Sequence, residues 1–206
     1  MPNDLDSSME QTILLAAERL FLEKGFAMTS TTEIAKEAGC NQALIHYYFR
    51  TKEKLFEAIF EDKLKIFFSD FVQISESAST FEDGLRRTIE AHFDMIRSHP
   101  RLPFLIVNEL STNPARIDSL KARFLPIVGN VYTRVEAWLE DEISKGTIRP
   151  ISAFDLMITI VSLNASLFIA APILRQVRGM SDEELERFLD WRRKEVVIMV
   201  TRSLRP

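Results

Sequence analysis

The stretch that decides the fold is residues 30–49, STTEIAKEAGCNQALIHYYF. Ser30 and Glu33 have the spacing of a capping box, which predicts the start of a short helix. Gly39 gives the backbone the freedom that a tight turn requires, and Asn41 can cap a second short helix over 42–49. This pattern is typical of a helix-turn-helix, in which the second helix enters the major groove of DNA.

The two short helices need a buried side and a free side. The spacing predicts burial of Ile34, Ala38, Cys40 and Ile45, with Cys40 as apolar filler rather than a redox sensor. On the free side, glutamine can pair with adenine and small apolar groups can contact a thymine methyl. Imidazole and phenol groups can donate to phosphate. The residues predicted on that side are Gln42, Ala43, Leu44, His46, Tyr47 and Tyr48.

The rest of the chain is also predicted to be helical. Apolar residues recur at helical spacing through most of its 206 residues, and no segment shows the alternation of a strand. Pro126 is expected to kink or divide one long helix. The fold class is therefore all-α with about nine helices. The predicted domains are a helix-turn-helix domain at 8–51 and a larger helical domain at 52–206.

Composition excludes several classes of protein. A single cysteine excludes a disulfide framework and a multi-cysteine metal site, and it indicates a reducing compartment. The polar, acidic first ten residues do not form a signal peptide, so a cytoplasmic location is expected. His92 and His99 could face one way, but a third metal ligand is not evident. We identify no nucleophile paired with a base and no phosphate loop, so no enzyme, cofactor or metal is predicted.

Residues 156–174, LMITIVSLNASLFIAAPIL, form an uncharged run of 19 residues. Such a run could just span a bilayer, which would indicate a membrane protein. Polar residues and a proline interrupt it, so a helix buried by its own chain or by a partner chain is the favoured interpretation. Pairing of the helices at 154–174 and 185–204 with a second copy would form a four-helix dimer contact.

Residues 12–60, TILLAAERLFLEKGFAMTSTTEIAKEAGCNQALIHYYFRTKEKLFEAIF, resemble the N-terminal domain of the TetR family of transcriptional regulators. The resemblance implies an all-helical homodimer that dimerises through its last two helices and holds a small ligand in its C-terminal domain. Cys40, Asn41, Ala43 and His46 depart from the common family pattern, which affects the bases that are read. The residues implied to touch DNA are Ser30, Thr31, Thr32, Gln42, Ala43, Leu44, His46, Tyr47, Tyr48 and Lys52.

Charge argues against strong binding to random DNA. Residues 1–52 hold 5 Lys and Arg against 7 Asp and Glu, and the whole chain has a formal charge of −4. The usual basic footprint of a DNA-binding domain is therefore missing. We expect weak non-specific binding, with specificity carried by individual contacts.

Aromatic residues in the larger domain indicate a pocket for a small apolar or aromatic ligand, with a few polar anchors. The predicted function is a repressor that binds a palindromic operator as a dimer and is released by this ligand. The alternative is a DNA-binding regulator without a small-molecule ligand, controlled by a protein partner. The predicted ligand-binding residues are Phe67, Phe71, Ile89, His92, Phe93, Ile96, Phe104, Asn108, Phe124, Val128 and Tyr132.

Overall fold

The computed structural model describes residues 4–62 and 80–206, with the side chains of 8–62, 80–114, 117–118, 121 and 129–206. Within these ranges the fold is all α-helical, as predicted. Nine helices are present there: α1 (Asp4–Met28), α2 (Thr31–Glu37), α3 (Gln42–Phe49), α4 (residues 52–62), α5 (Phe81–Ser98), α6 (Leu102–Thr112), α7 (Pro114–Ser144), α8 (Ala153–Arg178) and α9 (Asp182–Ser203).

The chain divides into two compact units, Met1–Ile66 and Phe67–Pro206. The first unit includes α4, whereas the sequence places a domain boundary before it, at 51–52. α4 belongs to this unit because its apolar side chains are buried in it: the Phe56 ring packs edge-on against Phe21 and Phe26, at centroid distances of 5.2 and 5.1 Å. The functional boundary at 51–52 stays a prediction.

The core of the first unit comes from one face of each helix. α1 contributes Ile13 and Phe21, α2 contributes Ile34 and α3 contributes Ile45, and all four side chains are fully buried. α1 loses helical geometry at Gly25, whose φ of 78° lies in the region that glycine adopts without a steric penalty. Gly25 therefore marks a kink inside α1, and a short turn then leads to α2.

In the second unit, α5 packs against both α8 and α9. Ile89 of α5 is buried in a cluster with residues of α7, α8 and α9, and Phe93 is buried in another with Phe168. Two arginines form ion pairs between α5 and α9. Arg193 forms a two-pronged ion pair with Asp94, at 2.8 and 2.7 Å, and Arg97 pairs with Asp190 at 2.7 Å.

Three helices of the second unit begin at a capping side chain. The side chains of Thr80, Ser152 and Ser181 each accept a hydrogen bond from the backbone three residues on. α7 continues through Pro126 as one element, so the proline does not divide the helix. The alternative, a kink at Pro126, stays a prediction.

The uncharged run forms α8, which has two different sides. One side carries the buried residues Leu156, Ile160 and Leu167, and the other leaves Phe154 and Ile173 largely exposed. The chain's own packing therefore covers only part of the run. Within the described residues α8 is the one helix long and apolar enough to cross a membrane, a test that the core helix of a soluble protein also passes.

Candidate nucleic-acid interface

The start of α2 is fixed by reciprocal hydrogen bonds. The Glu33 backbone N–H donates to Ser30 Oγ at 3.2 Å, and the Ser30 backbone N–H donates to Glu33 Oε2 at 2.9 Å. Lys24 of α1 donates to Glu33 Oε1 at 2.8 Å. Together these bonds lower the pKa of Glu33 to about 2, and the bond from Lys24 has the largest effect. The predicted capping box is present and is tied to α1.

The turn between α2 and α3 has the geometry that the sequence predicts. Gly39 has a φ of 67°, and the backbone N–H of Cys40 donates to the carbonyl of Ala35 at 2.9 Å, which closes the end of α2. Asn41 Oδ1 then accepts from Leu44 N at 3.0 Å and caps α3. Burial raises the pKa of the partly buried Cys40 thiol, which opposes formation of a reactive thiolate.

α3 presents the predicted residues away from its core. Gln42, Ala43 and His46 are exposed, and 65% of Tyr47 is accessible. Leu44 and Tyr48 are half-buried. A convex helical surface of this kind, with an amide, a phenol and small apolar groups, has the chemistry needed to contact base edges and phosphates.

Two hydrogen bonds orient side chains on this surface. Gln42 Nε2 donates to Thr31 Oγ1 at 2.7 Å, joining the first residue of α3 to the first residue of α2. His46 Nδ1 lies 3.0 Å from the carbonyl oxygen of Arg50. A carbonyl can only accept, so this bond needs a proton on Nδ1. The other ring nitrogen of His46 can then donate to a phosphate only when the ring is a cation.

Lys52, which the resemblance implies to touch DNA, makes contacts within its own unit. Its ammonium donates to the carbonyl oxygens of Phe26 at 3.0 Å and Thr29 at 2.9 Å, and it lies 4.2 Å from the centroid of the Phe26 ring. The buried Thr29 hydroxyl in turn donates to Gly25 O at 2.9 Å. Lys52 therefore ties α4 to the turn between α1 and α2. With two of its three N–H groups used, a phosphate contact stays a prediction.

Replacing Lys52 by methionine should destabilise the first unit by about 2 kcal/mol, because hydrogen bonds from a charged donor are lost at two carbonyls. Urea denaturation followed by circular dichroism would measure the loss. Fluorescence of Trp138 and Trp191, both in the second unit, reports that unit separately. The matched control is Lys54→Met, which removes an exposed lysine two residues later. Equal stability of the two variants would contradict the assignment.

The predicted ligand-binding residues fall into three groups. Ile89, His92, Phe93 and Ile96 are buried on α5, three of them in the clusters with α8 and α9. Phe104 is 60% exposed on α6, Tyr132 is exposed on α7, and Asn108 is half-buried. Phe67 and Phe71 lie outside the described residues, as do the side chains of Phe124 and Val128. The ligand-binding role of these residues stays a prediction.

The most unusual polar contact in the second unit is a buried pair that joins α5 to α8. Asn164 Nδ2 lies 2.9 Å from His92 Nδ1 and donates to Ile89 O at 3.2 Å. Because the amide nitrogen is the donor, His92 Nδ1 must accept, so the ring is neutral and its proton is on Nε2. Burial lowers the pKa of His92 to about 4. Sequence reasoning missed Asn164 as its partner; a lone amide within the uncharged run was the available signal.

Comparison with known proteins supports the interpretation of the first unit. The family described as "Bacterial regulatory proteins, tetR family" matches residues 13–59, the segment from the middle of α1 to α4. The chain carries the N-terminal domain of the TetR family. It is a DNA-binding transcriptional regulator with that family's all-helical fold, and TetR-family regulators bind DNA as dimers.

Curated relatives match longer stretches of the chain than this segment. The chain is similar to the "HTH-type transcriptional regulator EthR" of Mycolicibacterium smegmatis, with 31% identity over 51% of this chain and 49% of that one. It is also similar to the "Fatty acid metabolism regulator protein" of Bacillus subtilis, with 24% identity over 66% of this chain and 69% of that one. The matches thus span 49% and 69% of these two relatives, which are regulators rather than enzymes.

A solved structure matches this chain over nearly its whole length. It is a TetR family transcription regulator from Marinobacter aquaeolei VT8, with a TM-score of 0.69 and 22% identity over 97% of this chain and 96% of that one. This likeness concerns the fold.

Among the described residues, no cluster of three or more His, Cys, Asp or Glu is placed to hold a metal ion.

Proposed function

We propose that this regulator represses transcription by binding a palindromic operator as a homodimer. The observation that carries the proposal is the exposed outer surface of α3, held in place by capping bonds at both short helices. The residues proposed to contact DNA are Ser30, Thr31, Thr32, Gln42, Ala43, Leu44, His46, Tyr47, Tyr48 and Lys52. Such a protein acts on the chromosome, so we place it in the cytoplasm.

The homodimer is proposed to form through α8 and α9. Each of these helices carries a stripe of exposed apolar residues that the protomer does not cover. On α8 this stripe lies opposite the buried side. A two-fold axis through such a contact presents two α3 helices to two half-sites, one helical turn of DNA or a multiple of it apart. The exposed apolar residues are Phe154, Ile158, Ile169, Ile173 and Val177 on α8, and Trp191, Ile198 and Met199 on α9.

We further propose that a small apolar or aromatic ligand bound in the second unit releases the operator. The support is chemical: this unit holds most of the aromatic residues and the buried His92–Asn164 pair. A ligand acts in this way only if it binds the two conformations of the dimer with different affinity. The similarity to a fatty acid metabolism regulator adds fatty acids to the compounds worth testing.

A binding experiment tests the DNA-binding proposal. Duplex fragments selected from random sequence by the protein should contain an inverted repeat, and fluorescence anisotropy then gives the affinity for it.

A thermal-shift screen of apolar, aromatic and acyl compounds tests the ligand proposal, and any compound that raises the melting temperature should also release the operator. If none does so while the operator is still bound, control by a protein partner becomes the better explanation.

Replacing Tyr47 by alanine should weaken operator binding about tenfold, because a side chain that is 65% exposed loses its contacts with DNA but few within the protein. The matched control is Leu15→Ala, which removes a side chain that is 59% exposed on α1. Anisotropy titrations at one salt concentration would measure both. An unchanged affinity for the Tyr47 variant would remove this residue from the proposed interface.

A further inference from the structure

The hydrogen bond between Thr31 and Gln42 determines which base Gln42 can recognise. Gln42 Nε2 donates one of its two protons to Thr31 Oγ1 at 2.7 Å. The side chain keeps one N–H and the Oε1 acceptor for other partners. Adenine presents an N7 acceptor and an N6 donor in the major groove, and glutamine pairs with both by using one donor and one acceptor. The groups left on Gln42 match adenine.

The opposite arrangement of the amide would leave a different pattern. A threonine hydroxyl can accept from Nε2 or donate to Oε1, so it can pair with either end of the amide. Pairing with Oε1 would turn both N–H groups of Gln42 outward. Two donors suit guanine, which presents acceptors at N7 and O6. Gln42 therefore suits adenine when Nε2 is bound to Thr31, and it suits guanine when Oε1 is bound to Thr31.

Both partners in this hydrogen bond are held by fixed backbone. Thr31 follows Ser30, whose hydroxyl and backbone N–H are both engaged with Glu33. Gln42 follows Asn41, whose side chain caps α3 through Leu44 N. Because each partner is the first residue of a capped helix, the hydrogen bond joins two rigid elements. The Gln42 amide is thus oriented before DNA binds, which lowers the entropy cost of base recognition.

We propose that Thr31 is a positioning residue that makes Gln42 specific for adenine at one position of each operator half-site. This inference rests on the proposed function, because it requires α3 to lie in the major groove. Thr31 itself need not touch the base. Its hydroxyl proton stays available for a phosphate, so the predicted contact of Thr31 with DNA is compatible with the positioning role.

The experiment selects duplexes from random sequence with the wild-type protein and four variants, and compares base preferences position by position. We expect the wild type to prefer adenine over guanine about tenfold or more at one position in each half-site. Gln42→Ala should abolish this preference. Thr31→Val should reduce it to about twofold at that position alone, and Thr31→Ser should restore it because serine keeps the hydroxyl. Thr12→Val, which removes an exposed threonine hydroxyl on α1 outside the proposed interface, is the matched control and should leave the preference at that position unchanged.

Several results would overturn the inference. Guanine at the Gln42 position would show that the amide has the opposite arrangement in the complex. A Thr31→Val variant that loses overall affinity but keeps the adenine preference would show that Thr31 acts only on stability or on phosphate. A wild-type protein that selects an inverted repeat insensitive to Gln42→Ala also contradicts the inference, while the proposed function stands. Failure to select any duplex overturns the proposed function as well.

Discussion

The wild-type protein should lose about 3 kcal/mol of stability as the pH falls from 6.5 to 4, beyond the loss that a His92→Gln variant shows. The ordinary histidine pKa of 6.5 is lowered to about 4 by burial of the His92 ring. Over this range the unfolded chain binds a proton at His92 that the folded chain does not bind. Acid therefore favours unfolding. The stability that comes from keeping His92 neutral is fully present above pH 6.5 and is lost as the pH falls toward 4.

Glutamine is a suitable replacement for His92 because its amide oxygen can accept from Asn164 Nδ2 and its side chain does not titrate. Urea denaturation at several pH values between 7.5 and 4 would give the free energy of unfolding of both proteins. The difference between the two curves isolates His92 from the carboxylates that titrate in the same range. Parallel curves would contradict a neutral, buried His92.

A glutamate at Ile173 or Val177 should convert the proposed dimer to monomers and weaken operator binding at least about 100-fold. These α8 residues are 65% and 76% exposed in the protomer. A charge in a desolvated apolar contact is strongly unfavourable, whereas the same charge on a free protomer stays in water. The affinity falls steeply because two linked half-sites bind far more tightly than one alone.

Light scattering would measure the oligomeric state of these variants, and anisotropy would measure operator affinity. The matched control is Phe104→Glu, which places the same charge on a phenylalanine of α6 that is 60% exposed. That variant should stay dimeric and bind the operator. A dimer that survives both α8 substitutions would show that the protomers associate through another surface.

Local sequence signals were sufficient to predict the first unit. Capping boxes, the glycine turn and the apolar spacing act within a few residues of one another, so the structure of residues 30–49 follows from sequence alone. The exposed side of α3 follows from the same spacing. The outcome for Lys52 does not, because its ammonium reaches backbone carbonyls 23 and 26 residues earlier in the chain. Only the packing of α4 against α1 brings these groups together.

The second unit was less predictable for the same reason. The spacing of apolar residues places His92 on the buried face of α5, but nothing near it in sequence identifies Asn164, which is 72 residues away. Phe93 and Ile96, which the sequence predicts as ligand contacts, pack against α8 and α9. Periodicity shows that a side chain faces inward, but it does not distinguish a packed core from the wall of a cavity.

The uncovered face of α8 also bears on gene control. If two protomers must join there before either can hold an operator, the amount of active repressor rises with the square of the chain concentration while most protein is monomeric. Promoter shut-off would then have a threshold: a small fall in synthesis, or dilution as a cell grows and divides, would lift repression more sharply than for a monomeric regulator. Weak non-specific binding to DNA would sharpen this threshold, because few chains would be bound to the chromosome outside the operator.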